Sequence, residues 1–340
     1  MKIAHKIETY TSDGEPVLRF TVMNSSGVYM EFTNWGARWI TASVPDVQGV
    51  LDNVLIGYDS LAGYLEDSYY MGATIGRFAN RIADASFTID RKTFHLEAND
   101  GNNTNHGGFS GFHNKVWQWE ELPDGIRFSL YSPDGEGGFP GNIRVITDYR
   151  FNEDNELSVR HYAETDCATY INMTNHAYFN LCGKGKKITE HRLHIPADRI
   201  LDTTPAFIPT GKRMNVKNTP FDFTSLKPIG TDLYADHEQL LWNKGYNHCY
   251  ILKDEISVEM LEAASLYEPV TGRKMTVMTD LPAVLLYTAG YYERPDTAVC
   301  LETQFYPDTP SHSDFPSCLV LPEKAYEHCT LFHFQVQKEE

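Results

Sequence analysis

Apolar and polar side chains alternate with a period of two in Val28-Tyr29-Met30-Glu31-Phe32-Thr33, in Ile143-Arg144-Val145-Ile146-Thr147-Asp148-Tyr149 and in Phe332-His333-Phe334-Gln335-Val336. Successive side chains of a strand point to opposite faces, so this rhythm suits a half-buried strand and cannot form the stripe of a helix. Further β-branched and aromatic runs at 157–162, 169–173, 256–260, 274–278, 283–287 and 299–305 predict more strands. Turn clusters such as Asn24-Ser25-Ser26-Gly27, Pro133-Asp134-Gly135 and Asn152-Glu153-Asp154-Asn155 separate them. The only helix expected is short, around 60–66. Many short strands without alternating helices predict antiparallel sheets packed face to face. A propeller would show a blade repeat and two separate sandwiches would show a linker, and the sequence has neither. Residues 1–340 are therefore expected to form one all-β domain, a large antiparallel β-sandwich with extra strands on both sheets.

Charge narrows the partners. Lys and Arg number 29 against 46 Asp and Glu, a formal net charge of -17, and a field of that sign repels phosphate backbones and anionic lipids. No nucleic acid and no membrane surface is expected as a partner. The polar start, Met1-Lys2-Ile3-Ala4-His5-Lys6, lacks the apolar core of a secretory signal, and no window holds the ~18 apolar residues of a spanning helix. A cytoplasmic location is the expectation. The six cysteines, at 167, 182, 249, 300, 318 and 329, form no C-x-x-C pair and are expected to be free, buried thiols.

Familiar cofactor and nucleophile motifs are missing. The glycine-rich segment Gly135-Glu136-Gly137-Gly138-Phe139-Pro140-Gly141 has neither dinucleotide spacing nor a Lys-Ser/Thr end. His237-Glu238-Gln239-Leu240-Leu241 lacks the second histidine of a zincin helix, and His191 and His194, three apart in an expected strand, would face opposite ways. There is no G-x-S-x-G elbow. What remains is a set of polar residues inside apolar runs: Asn175-His176 interrupts two of them, and Glu302 sits within Val299-Cys300-Leu301-Glu302-Thr303-Gln304-Phe305. A satisfied core histidine and a solvent-facing glutamate would explain this as well as a paired acid and base would. Burying both is costly unless they pair or work.

Six blocks, in order, resemble the aldose 1-epimerase (galactose mutarotase) family. They are Gly76-Arg77-Phe78-Ala79-Asn80-Arg81-Ile82, Asn105-His106-Gly107-Gly108 with Gly111-Phe112, Gly138-Phe139-Pro140-Gly141-Asn142, Thr174-Asn175-His176-Ala177-Tyr178-Phe179-Asn180-Leu181, Ile208-Pro209-Thr210-Gly211, and Leu301-Glu302-Thr303-Gln304 followed by Pro307-Asp308 and Phe315-Pro316. The resemblance implies a β-supersandwich of the galactose mutarotase type. It also implies an enzyme that interconverts the α and β anomers of a free aldose without metal or cofactor, as a monomer or homodimer. By the same resemblance His176 is the general acid and Glu302 the general base, while Asn80, Arg81, His106, Tyr178 and Asn247 hold the sugar.

An ordinary glutamate is ionised near neutral pH and a histidine beside it is held protonated, so a charged pair is expected. Two positions depart from the family pattern: its sugar-gripping aspartate is replaced by Asn247, and its glutamine before Tyr-Thr-Gly by Leu285. These leave the reaction intact and put the galactose or glucose preference in question. Two other readings on the same fold are a hexose-phosphate 1-epimerase, which needs clustered Arg or Lys at the pocket mouth, and a non-catalytic carbohydrate-binding protein, which needs no acid and base across one pocket.

Overall fold

The computed structural model describes residues 1–256 and 258–338, and every ladder between its strands is antiparallel. Three sheets carry the architecture. The first is a meander of Lys2–Tyr10, Pro16–Met23, Tyr29–Thr33, Arg38–Pro45 and Leu51–Asn53. The second has nine strands, in the order Gln118–Leu122, Gly125–Ser132, Ile143–Phe151, Glu156–Thr165, Tyr326–Val336, Arg273–Thr279, Leu261–Tyr267, Arg192–His194 and Lys227–Pro228. Its middle strand, Tyr326–Val336, comes last in the chain and joins the early hairpins to the later ones. The third sheet runs Pro209–Asn215, Arg199–Thr203, Asn247–Ile251, Ala283–Tyr287, Cys300–Gln304.

Both five-stranded sheets pack on the nine-stranded one. Trp39 of the meander sits edge-on to Phe332 and Phe334 at ring separations of 5.2 and 6.2 Å, and Phe32 stacks on Tyr149 at 4.5 Å. From the third sheet, Val284, Leu286 and Leu301 enter the same continuous apolar core, and Thr303 meets Thr330 through their hydroxyls at 2.5 Å. Because alternation sends every second residue the other way, Leu285, Tyr287 and Glu302 face outward from that core. The face they share positions the site.

The alternation predicts this all-β, antiparallel sandwich, with some local departures. The run at 256–260 is not a strand: Ser257 lies outside the described residues, Val258 is 95% exposed, and pairing begins only at Leu261. β-branched residues without a neighbouring edge to pair with stay in the loop. The run at 169–173 yields strand only at Thr169–Tyr170. The helix expected at 60–66 is Leu61–Leu65, and a second one, Glu238–Asn243, has its first turn capped by the His237 ring accepting from the Gln239 N–H. His191 lies just outside its strand, Arg192–His194, and is buried. The six cysteines are free, but Cys167 is exposed and only Cys249, Cys300 and Cys318 are buried. No helix among the described residues is long and apolar enough to cross a membrane.

One buried ion pair shapes the loop over the site. The side chains of Arg38 and Asp67 are fully buried 2.6 Å apart, and Arg38 also donates to the carbonyls of Met71 and His113. Asp67 accepts from the Tyr58 hydroxyl and from the N–H groups of Tyr69 and Met71, which bends residues 67–71 over the third sheet. Removing one partner strands a buried charge. Asp67→Ala is expected to destabilise the fold by about 3–5 kcal/mol, read from the urea unfolding midpoint. A midpoint within error of the parent's would show that the pair does not hold this loop.

Candidate active site

The outward face of the third sheet carries two short rows set by its register. Asn247, Tyr287 and Cys300 lie opposite one another across three strands, and two residues further along so do Cys249, Leu285 and Glu302. Residues two apart on a strand share a face, so both rows look the same way. Above them lies a cavity of about 280 Å³ whose walls include Asn80, Arg81, His106, His176, Tyr178, Asn247 and Glu302. All seven residues singled out in the sequence therefore border one space. Leu285, Tyr69, Tyr70, Asp100, Asn105, Phe207, Tyr287 and Tyr291 border it too.

His176 is placed by backbone clamps. The two-residue strand Thr174–Asn175 pairs with Thr74–Ile75, the His176 N–H donates to the Ala73 carbonyl, and the His176 carbonyl accepts from Gly72. Gly72 has a φ of +66°, and a Cβ there would lie 2.0 Å from the Trp39 carbonyl oxygen, so only glycine lets the loop come this close. The Asn175 amide donates to the Gly72 carbonyl and the Tyr149 hydroxyl. On the opposite wall, Asn80 and His106 hold each other. The Asn80 N–H donates to His106 Nδ1 at 3.2 Å, and the His106 N–H donates back to the Asn80 carbonyl. The Asp308 N–H donates to the Arg81 carbonyl, and its carboxylate accepts from the Ala83 N–H.

At the floor, His176 Nε2 and Glu302 Oε1 are 3.7 Å apart, with both side chains buried. Tyrosines wrap the imidazole: Tyr178 stacks on it at 5.0 Å and Tyr70 at 6.0 Å, while Tyr287 stands edge-on at 6.2 Å. Neither carboxylate oxygen of Glu302 has a hydrogen-bond partner among the described residues. Burial disfavours the charged form of each group, pushing His176 down to about 4 and Glu302 up to about 8, the latter against the pull of Arg81. This reverses the charged pair expected from the sequence. At neutral pH the two groups share one proton, and it rests on the carboxyl.

His106, His176 and Glu302 each bring a potential ligand atom within 4.8 Å of the others, which invites comparison with a metal site. The chemistry of His106 opposes it. Nδ1 accepts from the Asn80 N–H, so the ring proton sits on Nε2 and neither nitrogen keeps a free lone pair for a cation. A protonated Nε2 is instead a hydrogen-bond donor for a neutral oxygen.

A buried His–Glu pair sharing one proton, in a small cavity walled by aromatic rings and polar groups, is suited to proton transfer on a bound small molecule. Comparison with known proteins is specific. Residues 19–333 match the aldose 1-epimerase family profile. Galactose mutarotase from Bos taurus is 36% identical over 328 residues, covering 92% of this chain and 93% of the relative. Aldose 1-epimerase from Escherichia coli (strain K12) is 33% identical over 335 residues, covering 95% and 96%. The solved structure of galactose 1-epimerase from Lactobacillus acidophilus superposes with a TM-score of 0.86 at 25% identity, over 99% of each chain. The chain belongs to the aldose 1-epimerase family and is an isomerase.

The pH dependence follows from the shared proton. Below about 4 His176 gains a second proton for the pair and no base remains; above about 8 Glu302 has lost its proton and no acid remains. Stopped polarimetry across pH 3–10 should therefore give a kcat/KM profile that is flat between these limits and falls on both sides. A rate still rising above pH 9 would contradict a one-proton pair.

Proposed function

We propose that Glu302 is the general base and His176 the general acid in the interconversion of the α and β anomers of a free aldose. The observation that carries this reading is the 3.7 Å separation of His176 Nε2 and Glu302 Oε1 at the buried floor of the cavity. The C1 hydroxyl and the ring oxygen of a cyclic aldose are bonded to the same carbon, so the groups serving them must stand side by side. Glu302 takes the proton of the C1 hydroxyl while His176 protonates the ring oxygen, and the C1–ring-oxygen bond breaks to give the open aldehyde. Rotation about C1–C2 presents the other face, and the two groups reverse their transfers to close the ring.

The shared proton suits this cycle. Moving it from Glu302 to His176 turns the neutral pair into carboxylate and imidazolium without exchange with solvent, and the hydroxyls of a bound sugar can donate to the carboxylate oxygens, which no protein donor among the described residues occupies. Asn80, Arg81, His106, Tyr178 and Asn247 orient the sugar so that both oxygens stay within reach. No metal or cofactor takes part in these steps. The unit is one domain, cytoplasmic, acting as a monomer or homodimer. The relatives named for galactose support a hexopyranose of that size.

A phosphorylated substrate fits the walls less well. Arg81 is the one cation among the lining residues, and its Nε already donates to Asp100. A binding protein without catalysis would gain nothing from a carboxyl held buried and unpartnered. In polarimetry of freshly dissolved α-glucose and α-galactose, Glu302→Gln and His176→Asn should each slow turnover by about 10²–10⁴-fold while circular dichroism stays unchanged. Near-full activity in folded Glu302→Gln would remove Glu302 from the base role.

A further inference from the structure

We infer that Asp100 is the charged acceptor that reads the sugar's hydroxyls at the mouth of the cavity. This inference rests on the aldose reading of the cavity. The sequence lacks an aspartate at position 247 and a polar side chain at 285, yet the cavity is not without a carboxylate at its mouth. Asp100 lines it, on a turn whose ends, Asp100 and Asn103, exchange backbone hydrogen bonds. Its Oδ2 accepts from Arg81 Nε at 2.7 Å, while Oδ1 has no hydrogen bond among the described residues.

Arg81 is held from below as well as from the side. Its guanidinium lies over the Phe207 ring at 4.8 Å, and Phe207 also lines the cavity. With Nε committed to Asp100, its two terminal nitrogens make no hydrogen bond among the described residues. The pair therefore presents one free carboxylate oxygen next to guanidinium donors. That is the complement of a vicinal diol, one hydroxyl donating to Asp100 and its neighbour accepting from Arg81.

Depth in the cavity says which diol. The side chain of Glu302 is 1% exposed, and that of Asp100 is 40% exposed. With C1 at the floor, the carbons on the far side of the ring reach the mouth, which places O3 and O4 on the Asp100–Arg81 pair. O4 is the hydroxyl whose configuration separates galactose from glucose, so Asp100 is a specificity-determining residue for this reaction.

The test compares the parent protein with Asp100→Asn on the faster of glucose and galactose and on its 3-deoxy, 4-deoxy and 6-deoxy analogues. Asparagine keeps an oxygen for Arg81 Nε, so the guanidinium stays in place. Asp100→Asn should lose about tenfold in kcat/KM on the full sugar, mostly through KM, and less than threefold on the 3-deoxy or 4-deoxy analogue, where the contacted hydroxyl is already gone. An equal loss on every analogue, a loss spared only by the 6-deoxy sugar, or no loss at all would overturn the assignment. Failure of the underlying reading shows separately: the parent protein would not accelerate mutarotation of the full sugar, or Glu302→Gln would not abolish it.

Discussion

Desolvation of one carboxyl group governs this molecule's chemistry. Glu302 stands on a strand buried on both faces, its two oxygens unpartnered among the described residues, with a buried imidazole 3.7 Å away as its nearest basic neighbour. In water such a side chain would be an inert anion. Here burial raises its pKa to about 8 and lowers that of His176 to about 4, so the pair's one proton rests on the carboxyl.

The sheets exist, in this light, to keep that floor closed and rigid. Register across Asn247–Ile251, Ala283–Tyr287 and Cys300–Gln304 fixes which side chains share a face with Glu302, and a slip by one residue would send the carboxyl into the apolar core. The loop of residues 67–71, tied by the Arg38–Asp67 pair, brings Tyr70 against His176. The reciprocal hold between Asn80 and His106 sets the opposite wall and the tautomer of His106. Arg81, Asp100, Phe207 and Asn247 line the same cavity and are more exposed than His176 and Glu302.

Much of this was legible in the sequence, and the rest was hidden for physical reasons. Alternation reports the sheet because a strand's two faces meet different solvents, and the runs it picked at 143–149 and 332–336 lie within the strands Ile143–Phe151 and Tyr326–Val336 of the large sheet. It misplaced 256–260 because propensity does not reveal whether a pairing edge is near, and it missed Glu238–Asn243 because six residues are too few to show a helical period. The family blocks located His176, Glu302 and the residues around them. Asp100, Phe207, Tyr70 and Tyr291 escaped because they reach the cavity from separate loops that carry no period or motif. The protonation state escaped for a deeper reason: side-chain identity says which groups can titrate, but only the closed pocket says how much water they keep.

The central claim concerns where one proton rests, and it can be observed without turnover. Carbon-13 labelling of glutamate carboxyls, with Glu302→Gln to assign the signal, lets NMR follow the Glu302 carboxyl through a pH titration of the sugar-free protein. The account predicts a protonated carboxyl at pH 6 that ionises near 8. A Glu302 signal already ionised at pH 6 would contradict it.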